Sequence, residues 1–533
     1  MAGVLVVDDD SAQLEIRRLL LERKGHTVWT AGNTREAWEQ FCSHAPKLVI
    51  LDLRLPRTED GLALIRRMRD AAGATRLLVL SGWTHDLENT PESSMVDDVL
   101  MKPVQSGRLM EIVAKLTLWL ICLQPVLCAQ SSATFPFQMD VAGEVVAEMD
   151  LSANGADWGR AGREGVMVNL SVDDGAKQQV MIFSGDVRYR YRAFLGEIAP
   201  GAHVLKLERH PDYSARGVQM QAHGVTFRQY KPADAEYAVV ANAPVLFARP
   251  NTVGKFTDIP LLTYCEKLAD GSLRYSVIFS NEDGGTSTRA LMARWGRATD
   301  IEHVYQVWPG TKKTLIQTKG HNDVEFHGKY EGRHPLLAVA TDNNMVSDQG
   351  ASAVRYQLAP VVVEMGAAAR EKVMDENPMT YLIASRELER EGKLRDFGKQ
   401  EGTKISNPEN YLIVEMRVLN KDARVAVLVR LNEEKFFRLS NLGVHDMGIE
   451  RNGWVRTAIE LPPATQPSQV VEIGFQCMPE VKAENGGQCR VDGIGKMFFL
   501  NAKSTPDASF WRPGHDRGPW VIPSGQVRMV PMR

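Results

Sequence analysis

Carboxylates at the ends of apolar runs are the first feature that can do chemistry. Lys47 is followed by Leu48-Val49-Ile50-Leu51, and one acid, Asp52, closes the run before Leu53-Arg54-Leu55-Pro56. Upstream, Val4-Leu5-Val6-Val7 ends in Asp8-Asp9-Asp10. A third run, Leu77-Leu78-Val79-Leu80, ends in Ser81-Gly82, and a fourth, Val99-Leu100-Met101, ends in Lys102-Pro103. The set offers acids twice, a hydroxyl and an amine. Adjacent acids supply the oxygen ligands that a hard divalent cation such as Mg²⁺ takes, and a compact ammonium can neutralise an anionic group held beside them.

These residues need elements that bring them together. A short apolar run closed by a turn residue reads as a strand buried on both faces of a parallel sheet. Open α/β sheets place ligands at the carboxyl ends of such strands. Helical patterns alternate with the runs. Ser11 is expected to cap a helix carrying Leu14, Leu19 and Leu20, closed by Gly25. Thr27–Ala31 reads as a short second strand, Thr34–Cys42 as a helix bearing Ala37, Trp38 and Phe41, Gly61–Ala72 as a helix with Leu62, Leu64, Ile65 and Met68 inward, and Ser106–Leu116 as the last helix. Strands alternating with helices imply βαβ units.

Over roughly residues 1–117 this pattern resembles a response-regulator receiver domain. The resemblance implies a flavodoxin-like, doubly wound five-stranded parallel sheet. It implies transfer of a phosphoryl group from phosphohistidine to a carboxylate, with a histidine kinase or phosphotransfer protein as partner. Asp52 is then the phosphoacceptor. Asp9, Asp52 and the Arg54 backbone carbonyl would hold Mg²⁺ directly, and Asp8 would act through water. Lys102 would pair with a phosphoryl oxygen, and Ser81 would donate its hydroxyl to another and carry the switch. Three positions depart from the family pattern. Val99 stands where receivers carry Tyr or Phe. The loop Pro56–Gly61 is one residue longer than the common form. The segment Thr84–Asp97, where a fourth helix belongs, contains Pro91 and little apolar periodicity. No other enzymatic site is identified.

At 533 residues the chain should hold several domains. A net charge of −3 gives no basic bias toward nucleic acid. Six cysteines form no CxxC pair, which argues against a cysteine zinc site. Cys477 and Cys489 could form a disulfide if their region is exported, and two free thiols are the other reading. Residues 116–130 form an uncharged apolar stretch, short for a membrane span, preceded by Lys115 and ending in Cys128-Ala129-Gln130. It reads as a signal-like or anchor segment, or as an apolar helix packed on its neighbour. With an anchor, the receiver-like region stays cytoplasmic and the rest lies outside, and Arg108 and Lys115 agree with that orientation.

Beyond it, short strand patterns and turn signals predict a β-sandwich over 131–250, a β-rich domain over 251–365, a helical connector over 366–402, a jelly-roll-like sandwich over 403–504 and an irregular tail over 505–533. Asn377-Pro378 is expected to cap the connector helix. The Pro200-Gly201 turn before a strand weakly resembles jelly-roll carbohydrate-binding modules, which implies a carbohydrate ligand. The apolar run at 116–129 motivates the alternative function, an exported or membrane-anchored β-sandwich protein, binding or glycan-active, with the receiver as a fused passenger. Trp295, Trp308, Trp454, Trp511 and Trp520 could stack sugars if exposed, although core packing is their commoner use. His321, Asp323, His327 and His334, and the turn Asp342–Asp348, are candidate metal ligands only by type, and polar loop residues between strands are the commoner reading. Glu282-Asp283 reads as a hairpin turn rather than an acid pair.

Overall fold

The computed structural model describes residues 3–71, 75–82, 87, 90–102, 104, 109–110, 112–113, 116, 132–282, 284–399, 401–480, 486–512 and 517–532. The chain divides into two units, Met1–Val126 and Leu127–Arg533.

The first unit is a parallel sheet in the order β2-β1-β3-β4-β5, with β1 Gly3–Val7, β2 Thr27–Ala31, β3 Leu48–Asp52, β4 Arg76–Ser81 and β5 Asp98–Met101. This is the flavodoxin-like order, with its switch point between β1 and β3. The strands are apolar on both faces because helices cover both. On one side Leu5, Val7, Val49 and Leu51 pack against Ala37 and Phe41 of α2 (Thr34–His44) and Leu64, Ile65 and Met68 of α3 (Thr58–Ala71). On the other, Val4, Val6, Ile50, Leu78 and Leu80 meet Leu21 of α1 (Ser11–Glu22) and the helical residues Leu109, Ile112, Val113 and Leu116.

Three local expectations are corrected. The α1 cap is Asp10, whose carboxylate accepts from the backbone N–H groups of Ala12 and Gln13. Its inward line is Leu14, Arg17 and Leu21, whereas Leu19 and Ile16 are about half exposed. The extra loop residue before Gly61 is absorbed because α3 starts at Thr58, with Glu59 and Asp60 in the first turn where the helix dipole favours acids. Among the described residues of Thr84–Asp97, Pro91–Met95 forms a 3₁₀ turn, in keeping with the weak helical periodicity there.

The second unit is mostly antiparallel β-structure. A three-stranded sheet (189–198, 143–154, 219–230) packs on a nine-stranded sheet whose strands include 132–139, 166–172, 178–182, 201–209, 245–247, 334–339 and 355–356. The expected boundary at 250 is not respected. Val245–Phe247 pairs parallel with 336–338, and Tyr356 pairs with Gln179, so one sheet crosses it. A six-stranded sheet (322–325, 314–318, 300–307, 273–279, 260–267, 361–363) shares the core around Tyr275, Tyr305 and Phe194. The C-terminal region holds two four-stranded sheets around Val414, Val427, Phe475 and Val491. Residues 505–533 are not an irregular tail: Trp520–Pro523 closes one sheet and Val527–Pro531 the other. Cys477 and Cys489, one in each sheet, are disulfide-bonded and fully buried.

The connector region is no solvated linker. Helix Met379–Arg390 buries Tyr381, Ile383, Ala384, Glu387 and Leu388. Asn377 does not cap it, because its side-chain amide donates to the Val373 carbonyl and closes the preceding helix instead. The apolar stretch 117–130 lies outside the described residues, so the signal-like, anchor and packed readings stay where the sequence left them. Among the described residues no helix is long and apolar enough to cross a membrane.

Candidate functional site

Strand register builds the site. Val7 pairs with Leu51, which sets Asp8 beside Asp52 at the carboxyl ends of β1 and β3. Asp52 pairs with Leu80, so Ser81 lies one residue past it, and Ser81 pairs with Met101, so Lys102 follows in turn. Parallel strands in register therefore deliver all four segments to one edge. The Lys102 backbone N–H donates to the Ser81 carbonyl (2.8 Å), fixing the last step.

Carboxylate oxygens of Asp8, Asp9 and Asp52 lie within 4.8 Å of one another. This is the only such acidic, His or Cys grouping among the described residues. Asp9 is exposed, whereas Asp8 and Asp52 are buried to 1% and 7% exposure. Lys102 Nζ donates to Asp52 Oδ2 at 2.7 Å and to Asp8 Oδ2 at 3.3 Å. The backbone N–H of Asp10 donates to Asp8 Oδ1 (2.9 Å) and that of Arg54 to Asp52 Oδ1 (3.4 Å). Burial pushes the Asp8 carboxyl up, but the Arg17 hydrogen bond, the Asp10 N–H and the Lys102 charge outweigh it, and the group titrates below the usual carboxylate range. Three convergent oxygen donors with one side open to solvent fit a hard divalent cation that keeps some of its waters.

Gly61 is required for backbone proximity. A Cβ there would lie 2.1 Å from the Leu53 carbonyl oxygen, so α3 can approach the loop after Asp52 only without a side chain.

The sequence family described as the response regulator receiver domain matches residues 4–114. Residues 4–114 are a receiver domain. The virulence transcriptional regulatory protein PhoP of Salmonella typhi is 35% identical over 145 residues, 27% of this chain and 62% of that protein. The transcriptional regulatory protein PhoP of Escherichia coli is 32% identical over 142 residues, 26% of this chain and 60% of that protein. The chain thus spans about three fifths of the length of these curated relatives. Among solved structures, the response regulator TrrA of Thermotoga maritima, in complex with Mg²⁺-BeF, is 30% identical and covers 22% of this chain and 99% of that one, with a TM-score of 0.21. A receiver domain protein from Clostridium thermocellum is 26% identical and covers 22% and 94%, with a TM-score of 0.20.

In the receiver domain, the structure brings Asp8, Asp9, Asp52 and Lys102 together and sets Ser81, buried, at the neighbouring strand end. Val99, in β5, is partly exposed. One residue at the site escaped the sequence reading: Arg17, whose Nη1 donates to Asp8 Oδ2. The only available signal was a charge at an inward position of α1.

The weaker candidates do not converge. His334 is buried and held by the Ala243 carbonyl and by Glu144. His321 sits 3.9 Å from Glu302, Asp323 binds Gln317, and the His327 backbone donates to Asp348. Asp342 pairs with Arg249. Glu282 is buried rather than at an open turn, and burial, then the Asp300 charge, push it up to about 7; Asp283 lies outside the described residues. Trp511 and Trp520 pack in the sandwich core, Trp295 lies between Arg294 and Arg451, and Trp308 lies under Lys313.

Proposed function

We propose that the receiver domain accepts a phosphoryl group on Asp52 from the phosphohistidine of a histidine kinase or phosphotransfer protein. The observation that supports it is the meeting of three carboxylates with the Lys102 ammonium at one sheet edge. An Asp52 oxygen attacks phosphorus, a P–O bond forms and the P–N bond breaks; the donor ring, protonated on its other nitrogen, takes the P–N electron pair and leaves as neutral imidazole. Asp9, Asp52 and the Arg54 carbonyl would hold Mg²⁺, with Asp8 acting through water, and the bound ion would supply charge neutralisation. Lys102 moves its contact from the Asp52 carboxylate to a phosphoryl oxygen. The Ser81 hydroxyl donates to another and biases its loop, which is how an added charge becomes a conformational signal. Because Val99 replaces an aromatic, the switch in this chain works through Ser81 and Lys102 without a ring rotation. The test is incubation with acetyl phosphate and Mg²⁺: intact-mass analysis should give one phosphoryl adduct on the wild type and none on Asp52→Asn. An unmodified wild type would rule the reading out.

A second reading concerns the β unit. The buried Cys477–Cys489 bond favours folding in an oxidising compartment, because cytosolic thiols are kept reduced. On this reading residues 131–533 are exported or held outside a membrane while the receiver faces the cytoplasm. Fractionation with N-terminal sequencing of the β unit tests it: a free end near Gln130 supports cleavage and export, and an uncleaved cytoplasmic chain with reduced Cys477 excludes it.

A further inference from the structure

The acidic pocket of the receiver domain already holds a guanidinium. Arg17 lies on the inward line of α1 and is 6% exposed, so its charge is paired inside the fold. Its Nη1 donates to Asp8 Oδ2, and its Nη2 reaches Gln13 Oε1 at 3.3 Å. The same Asp8 oxygen takes Lys102 at 3.3 Å, and the other takes the Asp10 N–H. Every oxygen of Asp8 is thus engaged by a protein donor. With Lys102 alone, three carboxylates leave the pocket with two negative charges. Arg17 halves that.

We infer that Arg17 is an internal counterion that competes with the divalent cation for Asp8 and so sets the cation affinity of the site. This rests on the proposed phosphoacceptor reading. Two physical facts support it. A divalent ion is drawn in proportion to the uncompensated negative charge of its ligands, and at partly buried sites such charge terms are weakly screened. Moreover, a carboxylate oxygen already hydrogen-bonded to a guanidinium and an ammonium is a poor acceptor for a cation-bound water. Cation loading therefore requires Arg17 to loosen from Asp8, and Gln13 provides the acceptor that keeps it on α1. Arg17 is a positioning residue: it acts on the phosphoacceptor only through Asp8.

The experiment is Mg²⁺ titration of the full chain by isothermal calorimetry, with Mn²⁺ as a second probe, on the wild type, Arg17→Met, Arg17→Lys and Asp8→Asn. Met keeps the buried stem and removes the charge. The expected result is a Kd at least tenfold lower for Arg17→Met than for the wild type, with Arg17→Lys between them. In parallel, added Mg²⁺ should raise the receiver melting temperature more in Arg17→Met than in the wild type. Equal or weaker binding by a folded Arg17→Met, or by Arg17→Gln if the Met variant does not fold, overturns the inference and leaves the phosphoacceptor reading standing. If neither the wild type nor the Arg17 variants bind either ion, both fall together. Loss of binding in Asp8→Asn shows that the measured ion sits at this carboxylate, and binding unaffected by that change also overturns the inference.

Discussion

Lys102 Nζ lies 2.7 Å from Asp52 Oδ2 and 3.3 Å from Asp8 Oδ2, so a single ammonium bridges the two buried carboxylates at the sheet edge. It neutralises their mutual repulsion and stands where a transferred anionic group would need a cation.

Replacing Lys102 by Met should therefore slow labelling of Asp52 by acetyl phosphate roughly a hundredfold, the usual loss when one preorganised charge is removed from a reacting anion. Asp52 itself would remain in place, so prolonged incubation should still yield the adduct. Time-resolved intact-mass spectrometry checks this, and a wild-type rate in the variant would show that Lys102 has no part in the transfer.

In the β unit, Arg456 is buried between Glu415, Asp375 and the Tyr381 hydroxyl, with Nε 2.8 Å from Glu415 and Nη2 2.6 Å from Asp375. Deleting one member of such a network leaves buried charge uncompensated, at a cost of about 3–5 kcal/mol. Arg456→Ala should lower stability by that amount in urea denaturation. A change below about 1 kcal/mol would show that water reaches Glu415 and Asp375 in the variant.

The Cys477–Cys489 bond closes a loop with a sequence separation of 12 and ties the two sheets of the C-terminal sandwich. The chain-entropy argument gives about 3 kcal/mol for a loop of this size. Cys477→Ser should lower the melting temperature of the β unit, and a reducing agent should do the same to the wild type while leaving the receiver transition unchanged. Differential scanning calorimetry separates the two, and insensitivity to reductant would count against the bond.

Glu387 is fully buried on helix Met379–Arg390, with the Trp158 indole N–H donating to it at 2.9 Å. Burial, partly opposed by Arg390, pushes its carboxyl from 4.5 up to about 7. The folded state holds the proton to higher pH than the unfolded chain does. This group's contribution is therefore full below about 4.5 and is lost as pH rises through about 7, a fall of about 3 kcal/mol in all. Glu387→Gln keeps an acceptor for Trp158 and removes the ionisation. The variant should be the more stable protein at pH 8 and close to wild type at pH 5. Parallel pH profiles of denaturation midpoint would disprove the assignment.

The apolar runs determined the receiver domain's strands, since four near-continuous Val/Leu segments of strand length, each closed by turn or polar residues, suit a sheet covered on both faces. Their terminal residues Asp8, Asp52, Ser81 and Lys102 were legible for the same reason: in a parallel sheet in register, the end of each strand is also the edge of the site. In the β unit the sequence located individual strands, because alternation and turn residues are local signals. Only the tertiary structure decided which strands pair across the boundary at 250 and that 520–531 completes both sandwich sheets. Those pairings depend on surfaces distant in sequence. It alone also turned α1 so that Arg17, not Leu19, faces inward. Leu14, Arg17 and Leu21 share one face at helical spacing, and only the packed sheet showed that this face, with Arg17 against Asp8, is the buried one.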